Sequence, residues 1–145
     1  MIEVRNVYKS FNGKEVLKDI SFTFEAGKTN LIIGQSGSGK TVLMKSVIGI
    51  HQVDKGQILY NGRDFTKMTS KEVALLRQEI GMLFQGSALF DSMTVEENVR
   101  FPLEMFSDKT RKEWEKRVAF CLDRVGLSHA AKLFPSEIRG GMQKR

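Results

Sequence analysis

The sequence predicts an α/β fold with an antiparallel β subdomain at the N-terminus and a helical insertion further along the chain. Residues 2–8 and 16–24 carry the apolar patterns of strands, and Asn12-Gly13 between them is a strong hairpin signal. Residues 34–41 form a glycine-rich loop between an apolar run and a helical pattern. From Gly86 onward, the apolar residues follow a helical spacing.

The elements after the glycine-rich loop follow from local patterns. Residues 41–50 predict a helix, and residues 57–60 predict a short strand that begins after the turn Asp54-Lys55-Gly56. Asn61-Gly62 is a second hairpin signal. Ser70 can cap a further helix that extends through Gln78.

Two apolar runs predict buried strands. The first, residues 29–33, leads directly into the glycine-rich loop. The second, residues 80–84, ends at Gln85. Short continuous apolar runs of this kind are typical of strands that are covered on both faces.

The helical insertion contains two predicted helices. Thr94 is an N-cap residue with acidic residues in the turn that follows it, which indicates a helix start. A second helix begins near Ser107 or Asp108 and stops at Gly126. The apolar residues on one face of this second helix are Trp114, Val118, Cys121, Leu122 and Val125.

The glycine-rich loop matches the phosphate-binding P-loop pattern G-x-x-x-x-G-K-[ST]. Its glycines let backbone N–H groups turn inward, and the following helix directs its free N–H groups to the same point. Lys40 supplies a charge for the β- and γ-phosphates, and the Thr41 hydroxyl can complete the shell of a Mg²⁺ ion. The predicted binding loop consists of Gly34, Gln35, Ser36, Gly37, Ser38, Gly39, Lys40 and Thr41.

The composition fits one domain that works without a disulfide. The chain has 145 residues and a net charge of +6, and bound nucleotide phosphates alone would offset several of those charges. Lys and Arg are dispersed and no basic-aromatic motif occurs, so no nucleic-acid partner is predicted. The single cysteine, Cys121, favours a reducing cytoplasm. No apolar run approaches the roughly 20 residues that cross a bilayer, so any membrane role requires a partner.

Three motifs in order resemble one family across the whole chain. The P-loop, Gln85 after an apolar run, and Ile138-Arg139-Gly140-Gly141-Met142 after a helical insertion resemble the ATP-binding subunits of ABC transporters, whose signature is Leu-Ser-Gly-Gly-Gln or a near variant. The resemblance implies an incomplete P-loop NTPase domain over residues 1–145. The β subdomain and P-loop core would occupy residues 1–85, the helical subdomain 86–139, and the signature with the start of its helix 140–145.

The resemblance also implies a role for each matched position. Phe11 would stack on adenine, the alternative interpretation being that it only anchors a turn. The P-loop would hold the phosphates of ATP, with Mg²⁺ bound by Thr41 and Gln85. Lys40 and Gln85 are the expected catalytic residues, since Gln85 corresponds to the glutamine that contacts Mg²⁺ and the attacking water. Residues 138–142 would contact the nucleotide held by a second subunit, so a homodimer would enclose two ATP molecules.

The chain departs from the family in two places. Arg139 stands where the signature has a serine whose hydroxyl bonds the γ-phosphate across the dimer. An arginine could pair with phosphate more strongly, or its bulk could prevent the dimer from closing on the nucleotide. We favour the second interpretation, in which Arg139 impairs the signature. The family's Walker B strand, catalytic glutamate and switch histidine come after the signature, and His51 and His129 lie in the wrong places to replace the histidine. We therefore expect residues 1–145 alone to be marginally stable and not to hydrolyse ATP at a meaningful rate.

A narrower resemblance concerns the transported cargo. Residues 87–95, Phe101-Pro102-Leu103 and Gly140-Gly141-Met142 resemble the ATPases of bacterial lipid-transport systems of the Mla/MCE type, although importers for methionine or amino acids share much of the pattern. The resemblance implies transmembrane permease subunits as partners and a cytoplasmic, peripheral location at the inner face of the cell membrane. The alternative function is a nucleotide-binding or interaction module without hydrolysis. A small-molecule kinase would leave the paired glycines of the signature unexplained.

Overall fold

The computed structural model describes residues 1–145, and the chain divides into two compact units, Met1–Gly81 and Met82–Arg145. Each unit has a hydrophobic core of its own. The functional division predicted above, at residues 85 and 139, stays a prediction.

The first unit is built on a four-stranded antiparallel sheet, as the N-terminal patterns predicted. Its strands are β1 (Ile2–Phe11), β2 (Lys14–Phe24), β3 (Lys55–Tyr60) and β4 (Arg63–Asp64). Their order in the sheet is β2-β1-β3-β4, so β1 pairs with both β2 and β3. Lys55 and Gly56, predicted as part of a turn, belong to β3 because the chain already pairs with β1 there.

Both predicted hairpin signals form tight turns. Asn12 and Gly13 have φ values of 49° and 79°, and Asn61 and Gly62 have φ values of 48° and 80°. Two successive positive φ angles are the requirement of a type I′ turn, whose twist matches that of the flanking strands. Asn-Gly is the preferred sequence for this turn because both residues tolerate positive φ.

Two helices complete the first unit, α1 (Lys40–Val47) and α2 (Ser70–Gln78). The helix α1 is shorter than predicted and is followed by Gly49 at a φ of 74°. The cap of α2 is Thr69 rather than Ser70, because Thr69 and Glu72 form a reciprocal capping box. The buried core residues of this unit are Val4, Val7, Leu17, Leu43, Val47, Ile58, Tyr60, Phe65 and Leu76.

The two apolar runs predicted as buried strands are not strands here. Residues 29–33 and 80–84 have no regular secondary structure, and the side chains of Leu31 and Ile33 are both 83% exposed. Only Ile32 of the first run packs against the core of its unit. A strand exists through hydrogen bonds to a neighbouring strand, and no strand of the sheet pairs with either run.

The second unit is helical. It contains α3 (Val95–Phe106), α4 (Arg111–Arg124) and the short α5 (Gly140–Gln143), with 3₁₀ turns at Ser128–Ala130 and Pro135–Glu137. Its buried core residues are Val95, Val118, Leu122, Leu127, Ala130 and Ile138. No helix combines the length and the hydrophobicity that crossing a membrane requires.

Local Thr–Glu pairs set the starts of α3 and α4. Thr94 caps α3 as predicted and forms a capping box with Glu97. The helix α4 begins at Arg111, later than the predicted start near Ser107 or Asp108, because the Glu113 carboxylate accepts hydrogen bonds from the backbone N–H and the hydroxyl of Thr110. Gly126 follows α4 with a φ of 68°, the left-handed conformation expected of a glycine after a helix C-terminus.

Candidate nucleotide-binding site

The P-loop residues form an exposed turn that opens directly into α1. Gly37 and Gly39 have φ values of 79° and 92°, and Gly39 is the N-cap residue of α1. The backbone N–H groups of Gly39, Lys40 and Thr41 donate no hydrogen bond within the chain. Such free N–H groups at a helix N-terminus are the usual donors to a phosphate.

Two glycines of the loop lie where an added Cβ atom would come very close to its neighbours. A Cβ atom on Gly39 would be 3.0 Å from the carbonyl oxygen of Val16 and 3.2 Å from Cδ2 of Leu17, both on β2. A Cβ atom on Gly34 would be 2.8 Å from the Ser38 hydroxyl. The loop is therefore packed closely on itself and against the hairpin that carries Phe11.

Lys40 folds back over the loop. Its Nζ atom donates to the carbonyl oxygens of Gly34 and Gln35, at 2.7 Å in each case. These carbonyl groups are neutral dipoles, whereas a phosphate group carries a net negative charge and forms stronger hydrogen bonds to an ammonium group. The Lys40 ammonium is thus already held beside the loop that leads to the free N–H groups of Gly39, Lys40 and Thr41.

The donor set of the loop suits Mg²⁺ rather than a transition metal. Thr41 is exposed in the first turn of α1 and offers one hydroxyl oxygen. No cluster of three or more His, Cys, Asp or Glu side chains that could hold a metal ion occurs in the structure. Mg²⁺ is commonly held by one or two protein oxygens together with substrate phosphates, so these residues fit an ion that arrives with a nucleotide.

Phe11 lies at the end of β1 beside the hairpin turn and is 38% exposed. The Lys9 ammonium lies over its ring at 5.2 Å from the centroid, and the His51 ring makes an edge contact with a centroid distance of 5.2 Å and an interplanar angle of 74°. Lys9 is itself paired with Asp54 at 2.8 Å. The hydrogen bond from Lys9 lowers the pKa of Asp54 below its usual value. The Phe11 ring is therefore partly exposed and is contacted by Lys9 and His51.

Gln85 does not stand at the end of a strand, because residues 80–84 do not form one. It lies in an irregular, exposed part of the second unit. The segment that follows it is fastened to α3 by one side chain, Asn98, whose amide accepts a hydrogen bond from Phe90 N at 2.8 Å and donates to Phe90 O at 3.1 Å.

The predicted signature residues form the turn that opens α5. Ile138 is buried in the core of the second unit, and Met142 packs against that core. Arg139, Gly140 and Gly141 are exposed, and a Cβ atom on either glycine would meet no other atom within 4 Å. The exposed glycines leave the backbone of this turn open to an approaching ligand.

Gln143, which was not predicted as a site residue, holds the region of the signature turn through hydrogen bonds of its side-chain amide. Its amide nitrogen donates to Pro135 O at 2.7 Å, and its amide oxygen accepts from the Ser87 hydroxyl at 3.1 Å. No local pattern in the sequence marks this contact, because Ser87 and Gln143 are 56 residues apart.

Comparison with known proteins decides the family. The family model described as "ABC transporter" matches residues 17–145, which include every motif discussed above except Phe11. The chain belongs to the ABC transporter family. The resemblance inferred from the motif order is confirmed.

Similar ABC proteins carry several different functional names. The chain is 40% identical over 144 residues to the probable ribonucleotide transport ATP-binding protein mkl of Mycobacterium leprae, covering 99% of this chain and 42% of that protein. It is 39% identical to the cell division ATP-binding protein FtsE of Bacillus subtilis, covering 64% of FtsE. It is also 39% identical to the methionine import ATP-binding protein MetN 1 of Pseudomonas syringae, covering 44% of that protein. The chain therefore spans less than two thirds of these relatives.

Solved ABC cassettes have the same fold. The dimeric structure of MJ0796, a bacterial ABC transporter cassette, superposes with a TM-score of 0.89 at 27% identity, covering 99% of this chain and 65% of that one. A second MJ0796 structure, in a post-hydrolysis state bound to ADP and Pi, superposes with a TM-score of 0.87 at 26% identity. The predicted fold class, an α/β ABC ATPase cassette with an antiparallel β subdomain and helices, is confirmed.

The first unit contains the P-loop and Phe11, whereas Gln85 and residues 138–142 belong to the second unit. Lys9 and His51 contact the Phe11 ring and Asp54 pairs with Lys9, and none of these three was predicted as a site residue. A signal existed for Lys9, which precedes Phe11 by two positions on a strand and so shares its face. No such signal existed for His51 and Asp54.

A cavity of about 430 Å³ in the first unit is lined by none of the P-loop residues, so cavity size does not mark the site.

Proposed function

We propose that this chain binds ATP with Mg²⁺ and forms the nucleotide-binding part of an ATP-driven transporter subunit. The observation that carries the proposal is the P-loop, in which free N–H groups of α1 and the Lys40 ammonium converge on one exposed turn. Family membership supports the same proposal, since the named relatives are ATP-binding proteins and one MJ0796 structure contains ADP and Pi.

The residues of the chain would divide the work of binding and hydrolysis as follows. Backbone N–H groups of residues 34–41 bind the phosphate oxygens, and Lys40 stabilises the charge that develops on the γ-phosphate. Thr41 and Gln85 would hold Mg²⁺, which neutralises phosphate charge when it is bound. Gln85 orients the attacking water, Phe11 stacks on adenine, and residues 138–142 contact the nucleotide of a second subunit.

The partners we propose are a second copy of the ATP-binding subunit and transmembrane permease subunits. The dimeric state of MJ0796 supports the first partner, and the family's transport role supports the second. Attachment to a permease would place the protein at the inner face of the cell membrane.

Lys40→Ala tests nucleotide binding directly. We expect this change to weaken ATP binding by at least about tenfold, since it removes a charge-assisted bond to phosphate. Lys45→Ala, which removes the same charge from the other lysine of α1, should leave binding within about twofold. Calorimetry with ATP and Mg²⁺ measures both variants, and equal affinity in the two would contradict the proposal.

A second candidate is a nucleotide-binding module that does not hydrolyse ATP. Arg139 favours it, because an exposed arginine replaces the signature serine. Because residues 1–145 alone are not expected to hydrolyse ATP, phosphate release is measured on the protein assembled with its proposed partners. In that assembly, ATP binding without turnover supports the module, and turnover that Lys40→Ala abolishes supports the ATPase.

The cargo we propose is a phospholipid or a related lipid, on the resemblance of residues 87–95, 101–103 and 140–142 to lipid-transport ATPases. The relatives named above are assigned to ribonucleotide transport, methionine import and cell division instead. Cells that lack this protein should show altered membrane phospholipid distribution with normal methionine uptake. The protein should restore the distribution, and its Lys40→Ala variant should not. Loss of methionine uptake instead would point to an importer.

A further inference from the structure

One residue, His51, connects Phe11 to the helix that follows the P-loop. The His51 ring contacts the Phe11 ring, and the His51 backbone N–H donates to the carbonyl oxygen of Lys45 on α1 at 3.2 Å. The N–H of Ile50 donates to the same oxygen at 2.8 Å. The proposed base-stacking ring is therefore tied to the helix whose N-terminus carries the phosphate-binding groups.

The segment that carries His51 is held in place independently of Phe11. The Arg77 guanidinium on α2 donates to Ile48 O at 3.3 Å and to Gly49 O at 2.6 Å. A Cβ atom on Gly49 would lie 2.2 Å from the Phe65 ring, so the backbone passes in close contact with the core at this point. His51 thus projects from a segment that is fixed on two sides.

The same segment contacts the Phe11 strand at a second point. Asp54 accepts a hydrogen bond from Ser10 N at 2.6 Å and pairs with the Lys9 ammonium that lies over the Phe11 ring. The N–H of Asp54 donates to Tyr8 O at 2.9 Å. Two residues that are three positions apart, His51 and Asp54, therefore hold both the ring and its strand.

We propose that His51 is a positioning residue for the base-binding ring: by holding Phe11 at a set position relative to α1, it determines how tightly the site binds the adenine of ATP. The inference rests on the proposed function, because it requires adenine to stack on Phe11. Base–aromatic stacking depends on the orientation of the ring, and a ring free to rotate loses part of that contribution when it must be ordered on binding.

The test compares two ligands that differ in whether they carry a base. The affinities of ATP and of inorganic tripolyphosphate are measured for the unmodified chain and for its His51→Ala and His51→Phe variants. We expect His51→Ala to weaken ATP binding about two- to tenfold, as for loss of one aromatic contact, with tripolyphosphate binding unchanged. His51→Phe should restore most of the ATP affinity, because it restores an aromatic edge contact. The matched control is His129→Ala, an exposed histidine of the second unit.

Each alternative outcome has a separate meaning. Equal weakening of ATP and tripolyphosphate by His51→Ala would overturn the inference, because it would show a general structural role or an electrostatic role toward phosphate. Unchanged or stronger ATP binding would overturn it too, since His51 would then be irrelevant or would cover the ring. Failure of the unmodified chain to bind ATP would overturn the proposed function together with this inference. Equal binding of the two ligands would overturn the role of Phe11 and this inference, and would leave the proposed phosphate binding standing.

Discussion

Two glycines six positions apart in the first unit carry different constraints. Gly56 in β3 has a φ of 93°, and a Cβ atom there would lie 2.3 Å from the carbonyl oxygen of Asn6 and 2.6 Å from that of Arg5. Gly62 has a φ of 80°, but a Cβ atom there would have no neighbour within 4 Å. Both residues adopt the left-handed conformation, and only Gly56 is also enclosed by backbone that cannot move aside.

This difference predicts a ranking of two alanine variants. Gly62→Ala should cost about 1–2 kcal/mol of folding free energy, which is the strain of a left-handed alanine. Gly56→Ala should cost a further 1–3 kcal/mol or so, because overpacking adds to the same strain. Urea denaturation of the two variants measures the difference, and equal losses would show that the sheet adjusts at Gly56.

The requirement for glycine could be predicted from sequence at position 62, but only in part at position 56. The dipeptide Asn61-Gly62 is a local signal for a type I′ turn, and the turn forms. At Gly56 the sequence also predicted a turn, but the residue lies within β3, where its positive φ accompanies an irregularity in the pairing with β1. The requirement for glycine at this position comes from a strand about 50 residues away in sequence.

At the scale of elements, one hydrogen bond ties β3 to α1. The Tyr60 hydroxyl donates to the carbonyl oxygen of Val47 at 2.6 Å, and Tyr60 is only 6% exposed. Burial raises the pKa of Tyr60 to about 12, because the phenolate would lose its solvation. The contact fixes the C-terminal end of the helix that begins at the P-loop.

The raised pKa predicts a loss of stability in alkali. In the unfolded chain Tyr60 ionises near the ordinary tyrosine pKa of 10.0, whereas in the folded chain its pKa is about 12. Between these values the folded state binds more protons, so the free energy of unfolding falls as the pH rises. Tyr60→Phe should cost about 1 kcal/mol at neutral pH and should remove this part of the decline. Denaturation curves of both proteins across the interval check the prediction, and a parallel decline in the two would contradict it.

The elements that sequence predicted well are those specified by local contacts. Thr94 with Glu97 sets the start of α3 through a capping box that can be recognised in four residues. Even where the predicted start was wrong, at α4, the correct start follows from a local pair, Thr110 and Glu113. The strands predicted at residues 29–33 and 80–84 were wrong because their formation depends on distant parts of the chain. An apolar run becomes a strand only beside a partner strand.

At the scale of the whole molecule, one part of the candidate site follows from local sequence and another part depends on contacts between distant segments. The P-loop is a contiguous motif, so all eight of its residues could be named from sequence, and their role toward a nucleotide stays a prediction. The surroundings of Phe11 could not be named, because His51, which contacts its ring, and Asp54, which accepts a hydrogen bond from the neighbouring Ser10 N, lie about 40 residues later in the chain. Nothing in composition or periodicity records such a meeting of distant segments, which only the folded sheet produces.

The position of Lys40 has a kinetic consequence. Its ammonium already bridges two carbonyl oxygens of the loop, so the backbone is held in a curved conformation before any nucleotide arrives. Much of the conformational entropy of ordering the loop is then lost during folding and not at the moment of encounter. A loop preorganised in this way needs only to exchange one set of acceptors for another, and capture of a nucleotide would be limited by diffusion more than by rearrangement of the chain.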